Sequence, residues 1–235
     1  MLVVMMADQT LYLYSMQKKY FGIVTLLLSL LTAAQIPVRE EPRHHLVFEN
    51  DQIRILDVFL APYDTSQFHV HNTPSVFTTF TKTATGSQLI SGHPSGDLSV
   101  AGNSWYDSLY TPRIHRVWND DTGWFHVMDI ELIAGKPQSD QPILQGPFLK
   151  LFFNKPRANG YRLEMQPGSR FELPASAIGY LLLSIGPAAI EYKTNDYIQH
   201  RVMKSGHYVW IDPGKVFSMA SHGNTSASFV ILQLK

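Results

Sequence analysis

From residue 44 onward, hydrophobic and polar positions come in short alternating runs rather than in helical periods. The runs HLVFEN, IRILDVFLA, SVFTTFT, FHVMDIELI, FLKLFF, YRLEMQ, YLLLSI, AIEYKT, HYVWI and SFVILQL are rich in β-branched and aromatic residues. Turn-forming groups such as APYD, SGHPSGD, NDDTG, NKPRANG, QPGS and DPGK separate them. Strand side chains alternate between faces with period two, so these runs predict half-buried strands. Many short strands at regular spacing predict an all-β sandwich or barrel. No long stretch places apolar residues at i, i+3, i+4 and i+7, so no long helix is expected.

The pattern repeats. Ile53–Pro62 followed by Phe68–His71 and Ser75–Thr78 runs parallel to Tyr161–Gly168 followed by Leu173–Ser176 and Gly179–Leu182. Pro62 and Pro167 mark an offset of about 105 residues, and the two halves end alike, at His126–Leu132 and Ser228–Leu234. Repetition at this length predicts two barrels, over 44–135 and 146–235, joined by the linker-like AGKPQSDQPILQG. On this offset, Pro174 and Ser176 stand where the first half has His69 and His71.

The front of the chain follows a different pattern. In MQKKYFGIVTLLLSLLTAAQ, two lysines precede an apolar run, and small residues follow it. That order predicts a secretory signal peptide over 16–34 with a cut after Ala34; an uncleaved anchor is the alternative. The apolar run is short beside the roughly 20 residues of a membrane span, so no stable membrane insertion is expected after cleavage. Residues 1–15 fit neither pattern and are read as an over-long start ahead of Met16. The expected location is periplasmic or secreted. Residues 37–43, PVREEPR, read as a polar lead-in.

Composition narrows the chemistry. Lys plus Arg and Asp plus Glu both number 19, with no basic cluster, which argues against nucleic acid as a partner. There is no cysteine, so disulfides, thiolate metal sites and cysteine nucleophiles are excluded. Phosphate-cradling, dinucleotide and serine-elbow motifs are absent. Any metal must sit on nitrogen or oxygen, which directs attention to the ten histidines.

His69 and His71 are two apart in a strand pattern, so both imidazoles face one side. His115 follows on a segment suited to a returning strand. With Asn119 it makes His-x-x-x-Asn, after the His-x-His of the first pair. In these residues the chain resembles the cupin superfamily, and bicupins in particular. The resemblance implies two tandem cupin-type double-stranded β-helix (jelly-roll) barrels, with His69, His71 and His115 as ligands of a divalent transition metal (Fe, Zn, Cu, Ni or Mn). It departs from the family pattern in several places. Tyr63 stands at the first motif's glycine, Ser75 or Val76 at its glutamate, and Tyr110 and Pro112 at the second motif's proline and glycine. Phe217 and Ser221 replace His and Asn in the second half, which is therefore read as a degenerate barrel serving structure or dimerisation.

Asn119 is expected to tie a turn, and Tyr106 to line the pocket. His126 is expected in core or lining, or behind the ligands. His44 and His45 are expected at the surface, while His93, His200, His207 and His222 carry no assignment. The resemblance implies a dioxygenase-like metal enzyme acting on a small organic molecule, with catalytic groups beyond the ligands unassigned. The alternative is a non-enzymatic exported bicupin that binds a small molecule or sugar. A homodimer is compatible with either.

Overall fold

The protein is described by a computed structural model covering residues 35–134, 141–194 and 197–235. The expected over-long start, the signal segment and part of the linker lie outside the described residues. The first half folds as β1 (Ile36–Pro37), β2 (His44–Glu49), β3 (Ile53–Leu60), β4 (His69–His71), β5 (Ser75–Thr79), β6 (Thr83–Leu89), β7 (Ser95–Ser99), β8 (Ser104–Asp107), β9 (Arg113–Asn119) and β10 (Phe125–Leu132). The second folds as β11 (Leu149–Asn154), β12 (Ala158–Met165), β13 (Arg170–Leu173), β14 (Tyr180–Ser184), β15 (Ala188–Lys193), β16 (Ile198–Met203), β17 (Tyr208–Ile211), β18 (Phe217–Ser221) and β19 (Ala227–Leu234). One short 3-10 turn, Val38–Glu40, is the sole helical element among the described residues.

The topology shows the same repeat as the sequence. One sheet of the first half runs β2-β3-β10-β5-β8, and its counterpart runs β11-β12-β19-β14-β17. The other sheets run β4-β9-β6-β7 and β13-β18-β15-β16, with β1 added beside β4 in the first. β3 and β12 each pair antiparallel with the last strand of their half, Ile53 opposite Leu132 and Ala158 opposite Leu234. The chain is thus two tandem jelly-roll barrels.

Alternation decides what each sheet face does. On β10, Met128, Ile130 and Leu132 face Leu181, Leu183, Val230 and Leu232 of the second half, forming one core that joins the barrels. Phe125 and Val127, at the odd positions of the strand, turn the other way and pack with Val58, Leu60 and Phe77 inside the first barrel. Inside the second barrel lies a larger apolar cluster that includes Tyr161, Leu173, Tyr180, Phe217, Met219 and Phe229. Each such side chain, fully buried, contributes about 1.5–3 kcal/mol of hydrophobic stabilisation.

The register also corrects one alignment. His69 lies directly opposite His115. Leu173 lies directly opposite Phe217 in the second barrel. Leu173, not Pro174, is therefore the counterpart of His69. Pro174 is exposed beyond the end of β13, and the Ser176 hydroxyl receives the backbone N–H groups of Ile178 and Gly179. The sequence offset fails here because the path from Pro167 to Leu173 is one residue shorter than the path from Pro62 to His69.

Candidate metal centre

Three strands bring the imidazoles together. β4 points His69 and His71 inward, both essentially inaccessible to solvent. β9 sets His115 opposite His69, with Arg113 and Val117 on the same face and Arg113 opposite His71. β2 adds His44, which is buried, whereas its neighbour His45 is exposed. This overturns the surface expectation for His44: the alternation of β2 turns one of the two histidines into the barrel, opposite Val58.

The rings form a tight group. His69 lies 4.9 Å from His71, 4.8 Å from His115 and 4.6 Å from His44, centroid to centroid. His71 Nε2 and His115 Nε2 are 3.0 Å apart. Donor atoms of His44, His69 and His71 all lie within 4.8 Å of one another, a set that could hold a metal ion. The three sequence-assigned histidines thus share one cavity, and a fourth joins them.

Neighbours set their protonation. His69 Nδ1 donates to the Gln67 carbonyl at 2.8 Å, leaving Nε2 as a buried lone pair with no partner. His44 Nδ1 stands 2.8 Å from Glu41 Oε2. The Glu41 carboxylate is buried and also receives the backbone N–H groups of Arg43 and Gln67. Burial alone would raise its pKa, but these hydrogen bonds and the His44 imidazole outweigh burial and hold it at about 2. His71 Nδ1 lies 3.1 Å from the buried Asp129 Oδ2, close enough for an ion pair but off the hydrogen-bonding line. Burial, reinforced by the other imidazoles, pushes His69 down to about 3 and His115 to about 2. Both rings are therefore neutral, the form in which imidazole binds a metal.

The cavity encloses about 210 Å³; Val58, Phe77, Trp105, Phe125 and Val127 form its apolar wall, and Thr85, Ser87 and Asp97 add polar lining. Phe77 stacks on Trp105 at 5.3 Å. The Arg113 guanidinium lies 5.4 Å from the Phe77 ring centroid and is ion-paired to Asp107, while its Nε–H has no partner. Trp105, not Tyr106, lines the pocket. Its neighbour on β8 necessarily faces the other way, and Tyr106 packs 6.3 Å from Phe153 of the second barrel.

His126 also lies away from the centre. It stacks on Phe59 at 4.1 Å and meets Asp57 at 2.6 Å on the inter-barrel face of β10. Asn119 ties the turn as expected, donating to the carbonyls of Leu60, Ala61 and Gly123.

Glu41, His44 and Asp129 were missed at the sequence level. Asp129 could have been found, because a carboxylate alternating with Phe125 and Val127 must enter the barrel or break the pattern. Glu41 gave no such signal, since it lies in a segment without periodicity.

No family model and no curated protein matches the chain. Solved structures do. AerE from Microcystis aeruginosa is 8% identical with a TM-score of 0.60, covering 83% of this chain and 98% of its own. A cupin 2 conserved barrel domain protein from Leptotrichia buccalis is 10% identical with a TM-score of 0.54, covering 89% and 94%. Salicylate 1,2-dioxygenase from Pseudoaminobacter salicylatoxidans, in a crystal with gentisate, is 9% identical with a TM-score of 0.60, covering 90% and 78%. At these identities the likeness is one of fold, and the fold is that of the cupins, in its two-barrel form.

Proposed function

We propose that the first barrel binds a divalent transition metal on His69, His71 and His115, with His44 as a fourth imidazole, and acts on a small organic molecule as a dioxygenase-like enzyme. The observation that carries the reading is the buried, partnerless Nε2 of His69, turned towards other imidazoles in a site that keeps His69 and His115 neutral. A buried polar atom without a partner is costly, and a metal ion would satisfy it.

The donors fit such an ion. Metal–imidazole bonds of about 2.0–2.1 Å place adjacent ligand nitrogens about 3 Å apart, as His71 and His115 stand. A nitrogen-rich set suits Fe, Zn, Cu, Ni or Mn better than the oxygen-preferring Mg or Ca. When bound, such an ion supplies a Lewis acid and, if iron or copper, activation of oxygen.

The surrounding residues have separable tasks. Glu41 fixes the His44 tautomer, the carboxylate-behind-histidine arrangement that tunes metal sites, and the Asp129 carboxylate stands 3.1 Å from His71 Nδ1. Val58, Phe125 and Val127 keep water from one side. Phe77 and Trp105 offer a flat apolar wall, and the free Nε–H of Arg113 offers a positive donor beside it. A small planar molecule with an anionic group matches these walls. The gentisate held by the neighbouring dioxygenase fold supports a small-molecule ligand.

Metal analysis of protein purified without chelator tests this reading. Near-stoichiometric metal, lost in His69→Ala, is the expected result. Metal-free protein whose melting temperature ignores chelator would leave a non-enzymatic binding protein in its place.

We further propose that the site works outside the cytoplasm, on the strength of the charged, apolar, small-residue order of residues 16–34. A cut after Ala34 would leave β1 whole. Mature protein beginning at Gln35 is expected on N-terminal sequencing, and a start at Met1 or Leu2 refutes the proposal.

A further inference from the structure

We infer a second metal site, on the outer face of the second barrel, built from Glu191, His200 and His222. The backbone ladder places it. Glu191 on β15 lies directly opposite His200 on the edge strand β16. On its other side β15 pairs with β18, Glu191 opposite Ala220. The N–H of His222 continues that ladder by donating to the Ala189 carbonyl at 2.8 Å. Residues 189 and 191 share one face of β15, so all three side chains emerge from the same side of the sheet.

Their atoms meet. Glu191 Oε2 is 3.4 Å from His200 Nε2 and 3.8 Å from His222 Nε2, and the two imidazole rings are 5.9 Å apart. One donor atom from each residue lies within 4.8 Å of the others. Ligands on a common ion with bonds of about 2 Å sit about 3–3.4 Å apart, so small side-chain rotations would close the set. Two imidazoles and one carboxylate on a single face are the donors of a facial triad with open positions, which suits Zn, Cu, Ni or Fe(II) and not Ca or Mg.

Two positive groups on the same face, Arg170 and Lys193, are offset by Glu191 and Glu172. An ion here would staple three strands, β16, β15 and the end of β18. β16 is the outermost of these and is exposed along most of its length.

The competing account is a pair of solvent-exposed side-chain contacts to Glu191 without metal. Titrating Zn²⁺ and Cu²⁺ into the full chain separates the two. The wild type is expected to take up one ion more than the double variant His200→Ala, His222→Ala. A control changing the exposed His45 and His93 to Ala should keep wild-type uptake. Each single variant should weaken the extra event at least tenfold, and His69→Ala should leave it in place. Wild-type uptake unchanged in the double variant, or no ion in the wild type beyond the one removed by His69→Ala, overturns the proposal.

Discussion

The two barrels share one topology and fill it in opposite ways. In the first, the positions facing each other across β4 and β9 are His69 and His115, and the interior keeps a cavity of about 210 Å³. In the second, the same positions are Leu173 and Phe217, embedded in a continuous apolar cluster. The same backbone geometry that converges imidazoles in one half converges hydrocarbon in the other. A jelly roll therefore supplies a point of convergence, and the residues placed there decide between chemistry and packing. Among the described residues, the second barrel shows no counterpart of β1, the strand that runs beside β4 ahead of Glu41 and His44.

This contrast breaks most sharply at Phe217. If the second barrel is packing, Phe217→Ala should cost about 3–5 kcal/mol, because it deletes a fully buried ring from a core that can relax only in part. The loss would be read from the denaturation midpoint, with metal content per folded molecule unchanged. A cost under about 1 kcal/mol would show that the second interior is not the close-packed core described here. The mirror experiment is His71→Ala, which should abolish retention of the first barrel's ion through dialysis while leaving the second barrel folded. Metal retained at wild-type stoichiometry would remove the first barrel's distinction.

Acid should also separate the halves. His69 is pushed down to about 3 from an ordinary 6.5, by burial first and then by His44 and His71. Between these values the metal-free folded state binds fewer protons than the unfolded chain, so stability rises with pH across that window. His69's contribution is complete above about pH 6.5 and is lost as the pH falls towards 3. The slope for this one group is at most about 1.4 kcal/mol per pH unit. Urea midpoints of metal-free protein at pH 7, 5 and 4 should fall accordingly. In His69→Gln the fall should be shallower by up to that amount, and an unchanged slope would place the acid sensitivity elsewhere.

Much of this architecture was legible in the sequence, for identifiable reasons. Period-two alternation predicts the strands, and the Pro62–Pro167 offset matches β3 with β12. The His-x-His spacing puts His69 and His71 on one face, and strand return brings His115 opposite. Other features depended on register or on aperiodic chain. His44 and His45 are adjacent, so one must face inward, but which of them does so is fixed by pairing with β3 across a bulge. The same ambiguity misassigned Tyr106 over Trp105. Leu173 takes the place of Pro174 because one residue fewer separates it from Pro167 than separates His69 from Pro62, which shifts every position after it.

The smallest effect is expected at Tyr63, where the first barrel departs from the motif's glycine. The residue adopts φ 61°, in the left-handed region that side chains with a β-carbon avoid, and it is 70% exposed, so its ring has little packing to lose. Its counterpart in the second barrel's β-turn, Gly168, has φ 72° and is a glycine. Both barrels thus demand the same backbone, and only one meets it without strain. Tyr63→Gly relieves about 1–2 kcal/mol of steric cost, offset by about 0.5–1 kcal/mol of added freedom in the unfolded chain. The net expectation is a gain of up to about 1 kcal/mol, a rise of a few degrees in melting temperature with metal content unaltered. A Gly168→Tyr change should lower stability by a comparable amount. If Tyr63→Gly destabilises instead, the tyrosine ring contributes something that its exposed position does not reveal, and the correspondence between the two turns would not hold.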